Sequence, residues 1–220
     1  MPARRQPPPK DVSRARPEAA WTFHIGYGAL CLDFANTVSW RGSETPADHL
    51  SSYGELIRFA QQSKVVSEAK ARRLRFEAAG RPAMATRALR RAVGLREALY
   101  RVFSGLAAGR VPLGTDLEAL NATLPAALAH LRVAPNGQRF TWAWEENPAE
   151  LDRLLWLVAR DAAVFLISGE HSRLRTCKNP RCRWVFLDTT KSGTRQWCSM
   201  AVCGNRDKLR RFRQRRRLGG

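Results

Sequence analysis

Apolar positions in this chain recur mostly at intervals of three and four, so the elements it predicts are mostly helices. Leu50, Tyr53, Leu56, Ile57 and Ala60 predict a helix from Asp48 onward, and a second runs from Ser67 to Ala79, stopped by Gly80 and Pro82. The longest pattern covers residues 83–108. There Leu89, Val93, Leu99, Val102, Phe103 and Leu106 form one stripe, arginines line the rest, and Gly109 ends the helix. Thr115 with Glu118 has the spacing of a capping box and opens a helix that Pro125 must interrupt or restart. Asn147, Pro148 and Glu150 supply an N-cap, a first-turn proline and an acid at the third position. Leu151, Leu154, Leu155, Val158, Ala162, Phe165 and Leu166 then give that helix a broad apolar face, and Gly169 ends it.

Two stretches depart from this period. From Trp21 to Thr37 the residues Phe23, Ile25, Leu30, Leu32 and Phe34, broken by Gly26 and Gly28, read as a strand-like apolar segment buried near the core. Leu131–Val133 and Phe140–Trp144 flank Asn136-Gly137, and Phe140, Trp142 and Trp144 alternate, which predicts a β-hairpin. No internal repeat is visible in this region.

Composition adds a core and a charge. Of 220 residues, 44% are hydrophobic and 26% charged, which supports a packed interior and opposes wholesale disorder. The 38 Lys and Arg against 19 Asp and Glu leave +19, a signature of a polyanionic partner: nucleic acid, an anionic membrane surface or an acidic protein. Residues 173–220 hold 15 of those cations against Asp188 and Asp207, a net of +13, and only +6 falls on residues 1–172. Much of the latter belongs to residues 1–17, a basic Pro-rich leader expected to be disordered. No run approaches the roughly 18 uninterrupted apolar residues of a membrane span, and the N-terminus lacks the apolar run of a secretory signal. A cytoplasmic location with no membrane partner is the expectation.

In a reducing compartment, clustered cysteines are metal ligands more often than disulfides. Cys177 and Cys182 are followed, after fifteen residues, by Cys198 and Cys203 with the same four-residue internal gap. Two short-spaced pairs brought together by a hairpin deliver four thiolates to one zinc ion with little loop strain. Trp184–Leu187 predicts one strand of that hairpin, Lys191–Thr194 a turn and Arg195–Trp197 the returning strand. About 45 residues with few large apolar side chains cannot fold unaided, and a metal supplies the missing free energy. Two disulfides or scattered core thiols are the alternatives. Four thiolates close the coordination sphere, which makes the single Zn2+ structural rather than catalytic. Cys31, between Leu30 and Leu32, reads as a small buried hydrophobe.

Beyond the last cysteine, residues 205–217 read N-R-D-K-L-R-R-F-R-Q-R-R-R, a basic helix. Val202, Leu209 and Phe212 are placed toward the zinc core, and Arg206, Arg210, Arg213 and Arg217 follow another face at helical spacing. Lys208, Arg211, Arg215 and Arg216 extend the positive surface. Such a density of like charge favours a partner with phosphates, DNA first and RNA second; a solubilising or protein-docking tail is the alternative.

The segments C-R-W-V-F-L-D, R-Q-W-C-S-M and C-G-N-R-D-K within residues 173–211 resemble the CGNR zinc finger family, whose quartet falls on Cys203, Gly204, Asn205 and Arg206. L-C-L-D-F-A-N-T at Leu30–Thr37, followed by Arg41 and Asp48, is similar to the start of the mostly helical ABATE domain that commonly precedes this finger. Ala35 stands where the family usually has Val. The resemblance implies four zinc-ligand cysteines at Cys177, Cys182, Cys198 and Cys203. It also implies a stress-induced transcription regulator: DNA binding by the finger, and sensing or partner contact by the larger domain; a homodimer is a separate expectation. Its effector ligand is unknown.

The expected architecture is mainly α: a leader (1–17), a helical domain with a small hairpin (18–170), and a treble-clef-like zinc module of β-hairpin and basic helix (173–218). For Asp33, Asn36 and Arg41 two roles compete, a polar small-molecule pocket and a hydrogen-bond network that satisfies backbone groups, with the network favoured. No H-E-x-x-H, G-x-S-x-G, P-loop or complete dinucleotide fingerprint occurs, and His24, His49, His130 and His171 stand apart. No enzymatic activity is expected, an enzyme in the helical domain being the remote alternative.

Overall fold

The structure, a computed structural model, describes residues 21–145 and 151–218; the leader and the helix start expected at Asn147 lie outside the described residues. Leu30–Ala35, read from the sequence as strand-like, is instead a short helix, α1, with Cys31 through Ala35 all buried. A helix buried on every side has no apolar stripe, which is why its sequence resembles a core strand. The Asp161 carboxylate accepts its Cys31 N–H at 2.8 Å. A two-residue ladder follows, with β1 (Val38–Ser39) antiparallel to β2 (Ala47–Asp48). Asp48 therefore belongs to a strand, and helix α2 (Tyr53–Gln62) starts later than its apolar spacing indicated, where the Ser52 hydroxyl accepts from the Glu55 N–H.

Helix α3 (Glu68–Gly80) is capped by Ser67, and Pro82 opens the 26-residue α4 (Pro82–Ala107) as a first-turn proline. Helix α5 runs unbroken over Gly114–Ala129 with Pro125 inside it, and the Thr115–Glu118 box makes no cap. Packing against α4 and α6 holds α5 together across a position that has no N–H to give. Strands β3 (Leu131–Asn136) and β4 (Arg139–Trp144) form the expected hairpin, turning at Gly137 with φ +61°. Val133, Phe140 and Trp142 are exposed, while Trp144, on the same face of the hairpin, stacks on Trp156 of α6 (Arg153–Ile167).

Helix α4 forms the spine of the core. It meets α1, α5, α6 and the C-terminal hairpin, and its Arg96 is buried to 2% exposure. Burial of a guanidinium requires partners. Arg96 donates to both Asp48 carboxylate oxygens at 2.6 and 2.7 Å and to Glu97 at 2.8 Å.

After Gly169 (φ +78°) and a 3-10 turn at Glu170–Arg173, β5 (Leu174–Thr176) pairs antiparallel with β6 (Val185–Leu187). The hairpin partner of β6 is thus β5. Arg195–Trp197, expected as the returning strand, is irregular, because Asp188 turns that segment: its carboxylate accepts from the Arg195 N–H at 2.9 Å and from the Thr190 N–H and hydroxyl. A π-turn at Met200–Gly204 then feeds helix α7 (Asn205–Leu218). No described helix is long and apolar enough to cross a membrane.

Leu174, Trp184, Val185, Phe186 and Leu187 belong to the same hydrophobic cluster as Phe34, Leu56 and Phe103. Two glycines permit this approach. A Cβ on Gly42 would lie 1.9 Å from the Pro180 carbonyl oxygen, and one on Gly28 (φ +119°) 2.6 Å from the Leu187 Cβ.

Candidate metal centre and basic helix

The strand pair β5–β6 sets the first two cysteines. Cys177 leaves β5 with its N–H donated to the Trp184 carbonyl at 2.8 Å, and the tight turn through Asn179 returns Cys182 beside it. The Lys178 N–H donates to the Gln196 carbonyl at 3.0 Å, drawing in the segment that carries Cys198, and the π-turn delivers Cys203. All four cysteines are buried and their sulfurs lie within 4.8 Å of one another, with Cys182–Cys198 at 3.7 Å and Cys198–Cys203 at 3.8 Å. A tetrahedron of sulfurs about 2.3 Å from a zinc ion has edges of about 3.8 Å. The donor set fits one structural zinc, held by Cys177, Cys182, Cys198 and Cys203.

The crowding of four buried sulfurs leads to the same requirement. Four thiolates this close coexist only around a cation. The Asn179 side-chain amide reaches the Cys203 sulfur at 3.6 Å, and its carbonyl oxygen accepts the Arg181 N–H, so this residue stiffens the first cysteine loop and supports a ligand together.

Helix α7 grows from this centre. Its main packing is on the π-turn, and Val202, Leu209 and Phe212 are 41%, 49% and 57% exposed. Leu209 and Phe212 do not close over the zinc core as the sequence indicated, whereas Val202, in the π-turn, borders the same cavity as Cys182, Cys198 and Cys203. The arginines divide into groups with different tasks. The Arg206 guanidinium stacks 4.4 Å over the Trp40 ring and ties the base of α7 to the loop after β1. Arg210 and Arg211 pair with Asp207 at 2.7 and 2.8 Å. The Arg210 hydrogen bond, chiefly, keeps the Asp207 carboxyl below the usual carboxylate range. Lys208, Arg213, Arg215 and Arg216 are exposed, and the Arg217 side chain lies outside the described residues.

Asp33, Asn36 and Arg41 point to three different partners rather than into one cavity. Asp33 accepts the N–H groups of Gly26 and Tyr27, the latter at 2.8 Å. Asn36 donates to the Val185 carbonyl at 2.7 Å and accepts the Val185 N–H at 3.0 Å, so it pairs with β6 as a strand residue would. Arg41 forks onto Glu97 at 2.7 and 3.1 Å, caps the Ala35 carbonyl and lies 4.0 Å over the Tyr100 ring.

Burial pushes the Asp33 carboxyl up to about 6, against the pull of its two backbone donors. The folded chain therefore holds this proton more tightly than the unfolded one, whose carboxyl titrates near 3.9, and this group's contribution to stability declines as pH rises from about 4 through 6. The full decline is about 3 kcal/mol. Asp33→Asn is expected to gain stability relative to the parent chain between about pH 4 and pH 7.5. Urea melts at the two pH values measure this, and a pH-independent difference refutes it.

Sequence reasoning did not single out Trp40, Asn179 or Trp184. Trp40 adopts φ +56° between two polar neighbours, outside any periodic pattern. Asn179-Pro180 carries an ordinary turn signal, and Trp184, whose indole N–H donates to the Val38 carbonyl at 2.7 Å, stood as one residue of a strand.

Comparison with known families gives two matches in order along the chain. The family model ABATE, described as "Putative stress-induced transcription regulator", matches residues 28–169, and the CGNR zinc finger model matches residues 173–216. No curated protein matches the chain.

Proposed function

The chain belongs to the ABATE family and ends in a CGNR zinc finger, and from that premise we propose a zinc-dependent DNA-binding regulator of transcription whose helical domain senses a ligand or mediates assembly. The observation that carries this reading is the exposed basic surface of α7, rooted beside the zinc centre by the Arg206–Trp40 stack. A helix of this width fits the major groove, and its cations meet phosphates on either side. The protein then acts by binding, with no reaction assigned to either part, and works in the cytoplasm.

Arg210→Ala combined with Arg213→Ala removes two exposed cations and leaves the core intact. Duplex DNA binding is expected to weaken, and the slope of log K against log salt to flatten by about 0.9 for each phosphate that is no longer neutralised. Unchanged affinity and slope refute the assignment. Selection from random duplexes with an RNA competitor present separates the two nucleic acids: a discrete DNA motif supports a sequence-specific regulator, and retention on RNA overturns it. Exposed Leu209 and Phe212 favour one further reading, protein docking through α7, which predicts neither DNA retention nor a salt slope.

A further inference from the structure

A pocket of about 120 Å³ lies where the helical domain meets the zinc module. Its walls are aromatic: Trp21, His24, Tyr27, Trp40 and Trp184. The rings are fixed by their own neighbours. Trp21 stacks on His49 with centroids 3.6 Å apart, Tyr27 meets Trp184 edge-on at 5.3 Å, and Trp184 is anchored through its indole N–H. Cys182, Cys198 and Cys203 form another wall, Ser39, Ser199 and Val202 complete the described lining, and the cysteine sulfurs carry negative charge when they hold zinc. The described lining includes no Lys or Arg; Arg195 lies over Phe186, and Arg206 over Trp40.

A ring face presents negative potential and attracts a cation whose charge is spread over methyl groups. One face of Trp21 is covered by His49 and one of Trp40 by Arg206, so their opposite faces are the ones left to a ligand. The space is somewhat smaller than the ~150 Å³ cavity that admits benzene, which suits a compact head group better than a fused ring. Trp40 adds a sign of function. Its left-handed backbone conformation is unusual for a bulky side chain, and strain of this kind concentrates at ligand sites.

We propose that this aromatic pocket is a binding site for a compact organic cation of the methylated-ammonium class. The inference rests on the sensing part of the proposed function. The occupant touches Trp40, and Trp40 holds Arg206, so occupancy bears directly on the root of α7.

Calorimetric titration of the zinc-loaded full-length chain tests the site with choline and with its uncharged carbon isostere, in which a quaternary carbon replaces the nitrogen. Choline is expected to bind at least about tenfold more tightly than the isostere, and Trp21→Ala to weaken it by roughly tenfold, as removal of one cation–π wall implies. Trp21 is 37% exposed, so its removal spares the core; zinc content and melting temperature verify this. Absence of choline binding, equal binding of the two probes, or an unchanged affinity in a folded Trp21→Ala chain overturns the proposal. No DNA enters the titration, so its failure leaves the DNA-binding reading standing, and failure of DNA binding leaves the site standing.

Discussion

Replacing Cys198 by Ser is expected to abolish stoichiometric zinc and to destabilise the whole chain rather than the finger alone. Cys198 sits 3.7 Å from Cys182 and 3.8 Å from Cys203, so its loss opens the coordination sphere at its centre. Structural zinc in such modules contributes folding free energy on the order of 10 kcal/mol, more than the residual packing of residues 173–216 can replace. The disorder then spreads. Trp184, Val185 and Phe186 lie between Cys182 and Cys198, and all three pack into the cluster that contains Phe34, Leu56 and Phe103. Metal analysis is expected to fall from about one zinc per chain to a small fraction, and thermal unfolding monitored at the helices to shift down by several degrees. A zinc-free variant that melts like the parent chain would show that the two cores are independent.

Asn36→Leu tests the same coupling without touching a metal ligand. Leucine keeps the branched shape of asparagine but removes both bonds to Val185, leaving a buried N–H and a buried carbonyl without partners. Each such group costs about 1–3 kcal/mol, so the expected loss is about 2–6 kcal/mol. Zinc stays bound, since the four sulfurs are untouched. Faster amide hydrogen exchange at Val185 and its neighbours, together with a lower denaturant midpoint, is the expected pattern. A loss under about 0.5 kcal/mol would mean that Asn36 is a bystander at this seam.

These two cases show which features could be read along the chain. The helices α2 to α4, the hairpin turning at Gly137 and the four cysteines rest on local spacing, and local spacing is what a sequence displays directly. What the sequence hid depends on neighbours distant in the chain. Leu30–Ala35 is buried on all sides and therefore carries no helical stripe. Strand β6 pairs with β5 across the first cysteine loop, while the segment nearest in pattern, Arg195–Trp197, is taken by Asp188. Asn36 and Val185 are 149 residues apart, and Gly42 gains its importance only from the Pro180 carbonyl pressed against it. The change of composition at residue 173 marks where one family match follows another, yet the apolar cluster runs across it.

Helix α7 has 14 residues and is secured at its base, by the π-turn and by Arg206 on Trp40. At 1.5 Å per residue it is a rod about 21 Å long. Leverage follows: a tilt of about 5° at Asn205 sweeps the far end by about 2 Å. That distance separates a made hydrogen bond from a broken one. A displacement at the root too small to disturb the zinc ligands is thereby amplified along the arginine-bearing arm.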